Sequence, residues 1–170
     1  MDVTPEALER LGDIPRRKLL VGGAALPFYG VNRGTLDIDL EIQADSQEEF
    51  DRIREAIEAS GLVADVTANF EGWGMIPLPE GFRERVIPTP IRNLFVLDPV
   101  DYVFSKLRRG TEQDIEDCLA VVRARAIRPR DIRERKRLLR LPLDPVSHVF
   151  NRIFDRFMEA IESEGSPEGA

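Results

Sequence analysis

The segment VGGAALPFYGVNRGTLDIDLEI, Val21 to Ile42, sets two carboxylates, Asp37 and Asp39, inside a run of alternating branched aliphatics. On an extended strand, side chains at i and i+2 leave the same face about 7 Å apart. Two such carboxylates can converge on one hard divalent cation. Mg²⁺ takes one or two protein carboxylates and completes its shell with water and phosphate oxygens; Mn²⁺ suits the same ligands. Leu36, Ile38, Leu40 and Ile42 face the other way, so the pair is expected on a rigid element buried on one side. Upstream, Gly22 and Gly23 fall at a strand-to-helix turn. Their N–H groups can approach a phosphate closely, and the helix N-terminus that follows favours negative charge. An anion cradle and a cation site in one short segment are what a triphosphate–metal complex requires. The plainer alternative is a tight turn followed by acids on the solvent face of an amphipathic strand.

The elements that must position these residues follow from pattern and punctuation. Thr4 caps a short helix with Pro5 in its first turn, running to about Leu11. Lys18 to Val21 reads as a strand, Ala24 to Tyr29 as a short helix, and Leu36 to Ile42 as the Asp-bearing strand. Asp45 or Ser46 caps a helix through Ser60, with Phe50, Ile53 and Ile57 inward and Gly61 at its end. Leu62 to Phe70 reads as a strand, the Gly- and Pro-rich GWGMIPLPEGF as a loop, and Ile91 to Leu97 as a strand. Asp98-Pro99 opens a helix that stops near Gly110. Thr111 opens the next, with Ile115, Leu119 and Val122 inward. Two further helices are expected near 129–139 and 145–163. The fold class is therefore α+β: a mixed sheet with helices packed on one side and a helical C-terminal extension. The expected division is a core over residues 1–125, a helical extension over 126–163 and a disordered tail over 164–170.

The whole chain narrows the function classes. Its 170 residues suit one domain with a real core and a small appendage. The single cysteine, Cys118, cannot form an intramolecular disulfide, and the acidic, polar N-terminus is not a signal peptide. No apolar run approaches the roughly 20 residues needed to span a bilayer. A cytoplasmic protein without membrane contact is expected. A net charge of -7 argues against broad nucleic-acid binding. One stretch departs from this: Arg123 to Arg140 holds nine Arg or Lys against Asp131 and Glu134. It reads either as a solvated helix face or as a docking surface for RNA or an acidic partner. The only histidine, His148, lies in the C-terminal region, which removes histidine-based triads and His-rich zinc sites.

Taken together, the glycine pair and the Asp-hydrophobic-Asp run resemble the nucleotidyltransferase superfamily that includes DNA polymerase beta and the minimal nucleotidyltransferases. The likeness is more specific to the AbiEii-type nucleotidyltransferases, some of which are toxins of bacterial toxin–antitoxin systems. Their Arg-x-Thr/Ser-x-Asp-hydrophobic-Asp run is matched by Arg33, Thr35, Asp37 and Asp39. Their downstream Lys-Leu and Asp-x-x-Asp are matched by Lys106-Leu107 and by Asp114 and Asp117. The resemblance covers about Lys18 to Val122. It implies a metal-dependent transfer of a nucleoside monophosphate from an NTP to a hydroxyl on RNA, protein or a small molecule, and an antitoxin-like partner protein. It further implies that Asp37 and Asp39 hold Mg²⁺ or Mn²⁺, that Gly22, Gly23 and Arg33 meet the triphosphate, and that Thr35 supports the strand entry. Lys106 would contact the triphosphate as a point charge. One of Asp114 and Asp117, which share a helix face, would orient Lys106 or assist deprotonation. Asp65 is a candidate third carboxylate. Trp73 and Phe70, beside the long loop, either stack on a base or pack in the core.

A catalytically degenerate member, serving as a nucleotide-binding or interaction module, is the competing expectation. The lack of a firmly placed third carboxylate, for which Asp65 is only a candidate, and the short C-terminal region motivate it. A phosphatase built on Asp37-Ile38-Asp39 is set aside, because Glu41 stands where such motifs carry Thr or Val.

Overall fold

The computed structural model describes residues 3–164. Five strands, β1 (Lys18–Val21), β2 (Ile38–Ile42), β3 (Ala64–Thr67), β4 (Ile87–Pro88) and β5 (Leu94–Val96), form one sheet in the order β3-β2-β1-β5-β4. It is mixed: β1 runs antiparallel to β2 and parallel to β5, β2 is parallel to β3, and β4 is antiparallel to β5. Six α-helices accompany it: α1 (Pro5–Glu9), α2 (Gln47–Ala59), α3 (Pro99–Leu107), α4 (Glu112–Ala124), α5 (Pro129–Lys136) and α6 (Pro145–Glu164). The α+β class expected from the sequence is the one observed. Among the described residues no helix is long and apolar enough to cross a membrane.

The helix caps are local chemistry and stand where the sequence placed them. The hydroxyls of Thr4, Ser46 and Thr111 accept from the backbone N–H groups of Ala7, Glu49 and Asp114, and Asp98 accepts from Val100 N–H. Each such cap stabilises by about 1 kcal/mol. The turn after Gly22-Gly23 is a 3₁₀ helix, Gly23–Tyr29, rather than an α-helix, with Pro27 inside it.

Register decides what each face carries. Leu20, Leu40 and Val96, with Lys18, Ile42 and Leu94, lie on one face, all buried. The opposite face carries Val21, Asp39 and Asp65 at one end and Leu19, Glu41 and Phe95 at the other. Apolar contacts run continuously from Leu8 through the sheet to Phe150, Phe154 and Ile161, so α6 packs on the same core.

Several expectations need correction. The ladder begins at Ile38, and Leu36, two residues upstream, is 63% exposed. Glu41, on the same face as Asp39, is buried there: it pairs with Arg83 and accepts from Phe70 N–H at 2.8 Å. The third strand ends at Thr67, and Phe70 opens a 3₁₀ turn, Phe70–Trp73. In α4 the buried residues are Asp114, Asp117, Cys118, Val121 and, as expected, Val122, while Ile115 and Leu119 are only partly covered. Helix α5 ends at Lys136, and the expected disordered tail lies outside the described residues from 165 on.

The basic stretch is largely neutralised within the fold. Arg123 pairs with Glu164, Arg128 with Asp131, Arg133 with Glu162, Arg135 with Asp98 and Asp101, and Arg140 with Glu80. These pairs favour the solvated-face reading.

Candidate active site

A cleft of about 440 Å³ opens where β1 ends and β2 begins. It is lined by Gly22, Gly23, Arg33, Thr35, Asp37 and Asp39 from the motif segment, by Ser105, Lys106, Arg108 and Arg109 from the end of α3 and beyond, and by Trp73 and Met75 from the long loop. The structure thus brings together in one cavity every residue the sequence singled out for the site except Asp65, Asp114 and Asp117.

The approach of β2 to the turn is what makes the glycines necessary. Gly22 has φ +66° and ψ −153°, a conformation essentially reserved for glycine. A Cβ built on it would lie 2.2 Å from Asp39 Oδ2, so the Asp39 carboxylate occupies the space a side chain would take. A Cβ on Gly23 would lie 2.9 Å from Thr35 Oγ1 and 3.3 Å from an Arg33 guanidinium nitrogen. The two glycines therefore bring bare backbone against Asp39, Thr35 and Arg33. Tyr102 on α3 braces the turn from behind: its hydroxyl donates to the Gly22 carbonyl at 3.0 Å, and its ring packs on Tyr29 at 4.7 Å.

The acidic wall of the cleft is crowded. Asp39 and Asp65 are register partners on β2 and β3, and Asp37 immediately precedes β2. Burial, then the negative charges of Asp65 and Asp37, push the Asp39 carboxyl above its ordinary value, against the pull of Lys106 and Arg109. Among the described residues no group of three His, Cys, Asp or Glu side chains is preassembled to hold a metal ion.

Facing it is a cationic wall held from behind by two buried carboxylates. Lys106 Nζ donates to Asp117 Oδ2 at 2.8 Å and to Asp114 Oδ1 at 3.4 Å, and sits 5.8 Å from the Tyr102 ring centroid. Arg109 grips Asp114 with two hydrogen bonds of 2.7 and 2.6 Å. Arg33 Nε lies 3.1 Å from Asp117 Oδ1, an ion pair without hydrogen-bond alignment, and is otherwise buried without a hydrogen-bond partner. Asp114 also accepts from the Thr111 hydroxyl and N–H, completing the capping box of α4. Burial alone would raise the Asp114 carboxyl, but bonds from Arg109 and Thr111 and the charge of Lys106 leave it at about 2. Three cations against two carboxylates leave this wall net positive.

Asp114 and Asp117 do not line the cleft. Both are buried and engaged by Lys106, with Arg109 and Thr111 also on Asp114 and Arg33 and Gln113 on Asp117, so they hold the three cations in place. This also explains the shifted phase of α4: the buried acids take two of its inward positions. Arg109 escaped the sequence reading: it lies in the turn just past the end of α3, where helical spacing from Lys106 gives no signal.

The chain matches, over residues 2–134, a protein family described as "Nucleotidyltransferase of unknown function (DUF6036)". No curated protein and no solved structure matches it.

Proposed function

Because the chain belongs to this family of nucleotidyltransferases, we propose that it moves a nucleoside monophosphate from an NTP to a hydroxyl acceptor, with Mg²⁺ or Mn²⁺ at Asp37 and Asp39. The observation that carries the reading is the pairing of Asp39 with Gly22: a carboxylate set directly over bare backbone, opposite a cationic wall. The donor set fits a hard divalent cation. Its ligands are carboxylate oxygens, and the like charges that raise Asp39 are those a bound cation would relieve. When bound, the metal neutralises phosphate charge and favours the ionised acceptor hydroxyl.

The chain's own residues supply the remainder. Backbone N–H groups at Gly22 and Gly23 receive the triphosphate. Lys106, Arg109 and Arg33 balance its charge, their positions set by Asp114 and Asp117. The acceptor oxygen attacks the α-phosphorus, the bond to the β-phosphate bridging oxygen breaks, and pyrophosphate leaves in line. The hydroxyl proton passes to Asp65, the exposed carboxylate in register beside Asp39. The Arg33-Thr35-Asp37-Asp39 run, with Lys106 and the Asp114/Asp117 pair, supports a place near the AbiEii-type branch. With that place come a toxin–antitoxin role, an antitoxin-like partner and an RNA, protein or small-molecule acceptor.

The test is a thermal-shift series with ATP, GTP, CTP and UTP, with and without Mg²⁺. A nucleotide at about 100 times its Kd stabilises by roughly 2.7 kcal/mol. A metal-dependent shift that disappears in Asp37→Asn/Asp39→Asn supports the site; no shift with any nucleotide refutes it. One observation favours a second reading, a nucleotide-binding module without turnover: the described residues preassemble no three-carboxylate metal group. It predicts the same thermal shift without pyrophosphate release in the presence of cell extract.

A further inference from the structure

The cleft has a third wall that the phosphate and metal chemistry leaves unused. It is apolar, and it consists of Trp73, Met75 and Phe70 from the long loop, with Val146 of α6 beside them. Trp73 is 49% exposed and Met75 76% exposed, whereas Phe70 behind them is buried. A half-exposed tryptophan on an irregular loop is ordinarily free to move, but this one is held. Its ring stands edge-on to Phe70, 6.2 Å between centroids at 86°. Arg108 clamps the loop backbone, donating to the carbonyls of Glu71 at 2.9 Å and Phe70 at 3.1 Å, with its guanidinium 4.6 Å from the Phe70 ring centroid. Glu71 closes the other side by accepting from Leu78 N–H at 2.9 Å. Gly74 permits the clamp, because a Cβ there would lie within 2.8 Å of three Arg108 side-chain atoms.

Arg108 lies between Lys106 and Arg109. The same end of α3 that supplies the phosphate-facing cations thus fixes the position of Trp73 over the cleft. A rigid aromatic face beside an anion site has the form of a base platform, since stacking on aromatic side chains is a general mode of nucleobase binding. We infer that Trp73, held by Arg108 through the Phe70–Gly74 loop, stacks on the base of the donor nucleotide while Gly22, Gly23 and Lys106 hold its phosphates. The inference rests on the proposed NTP site and adds where the nucleoside half lies.

The protein contains one tryptophan, so its fluorescence reports this position alone. The experiment titrates the full chain, with Mg²⁺, against each NTP, against inorganic tripolyphosphate and against a short single-stranded oligoribonucleotide lacking a triphosphate. Affinities are also measured by calorimetry for the parent, Trp73→Phe and Trp73→Ala. Fluorescence quenching by an NTP but not by tripolyphosphate is expected. Trp73→Ala is expected to weaken NTP binding at least about tenfold and to leave tripolyphosphate affinity unchanged, which also certifies its fold; Trp73→Phe retains most of the affinity. If NTPs bind but neither quench Trp73 nor lose affinity in Trp73→Ala, the inference fails and the proposed site stands. Quenching by the oligoribonucleotide alone overturns it by assigning the platform to the acceptor. If neither NTP nor tripolyphosphate binds, the inference and the proposed function fail together.

Discussion

Replacing Gly22 by alanine tests the closest contact in the site. At φ +66° and ψ −153° the backbone is in a region that costs a non-glycine residue about 1–3 kcal/mol. At about 2–4 °C per kcal/mol for a chain of this size, the melting temperature should fall by roughly 2–12 °C. The new Cβ also meets Asp39 Oδ2 at 2.2 Å, so the carboxylate must retreat by about 1 Å to reach ordinary contact. A displacement of that size at a reacting centre costs on the order of 100-fold in rate. Thermal unfolding and Mg-NTP calorimetry on Gly22→Ala, Asp39→Ala and the double variant separate the two effects. Asp39→Ala removes the carboxylate and keeps a Cβ that would stand 3.6 Å away. In that background the steric part of the alanine cost should vanish while the backbone part remains, a coupling that only contacting residues show. A Gly22→Ala protein that melts within a degree of the parent and binds Mg-NTP equally well would refute the reasoning, as would strict additivity in the cycle.

Further outcomes follow from the buried charges. Asp39→Asn should leave the ligand-free protein at least as stable as the parent at neutral pH while abolishing Mg-dependent nucleotide stabilisation. The sign follows from a carboxyl raised by burial and by Asp65 and Asp37, whose ionised form costs stability; calorimetry with and without Mg-ATP checks both halves. Asp114→Ala strands Lys106 and Arg109 and removes the α4 capping box, so denaturant titration should show a loss of about 3–5 kcal/mol. Because the Asp114 carboxyl sits at about 2, below its ordinary 3.8, its contribution is present above pH 3.8 and is lost as pH falls toward 2, a component of acid unfolding that Asp114→Ala should lack. Lys18 is buried, with its ammonium donating to the carbonyls of Ile14 and Arg16, and burial, then the charge of Arg92, lowers it to about 8. The unfolded chain holds that proton to about pH 10.5, so stability relative to Lys18→Met should rise between pH 8 and 10.5, by up to about 3 kcal/mol.

Local signals carried far in this chain. Thr4, Ser46, Asp98 and Thr111 cap the helices they were expected to cap because the chemistry lies within three residues of each. The six motif residues from Gly22 to Asp39 line one cleft because they share a single β-turn-β unit. What stayed hidden depends on partners distant in sequence. Alternation puts Glu41 on the Asp39 face, but its burial there depends on Arg83, forty-two residues on, and has no local signal. The phase of α4 was read from its aliphatics, whereas Lys106 draws Asp114 and Asp117 inward. β4 is two residues long, one of them proline, and has no periodicity to read. The role of the Trp73 loop is likewise set by Arg108, more than thirty residues away from Glu71, the residue it holds.

Parallel reactions with α-labelled and γ-labelled NTP, Mg²⁺ and cell extract, with Asp39→Asn as the control, test the central claim most directly. The account predicts that α-label enters an acceptor, that γ-label leaves as pyrophosphate, and that Asp39→Asn does neither. Transfer of γ-label, or α-label incorporation that survives Asp39→Asn, would contradict it.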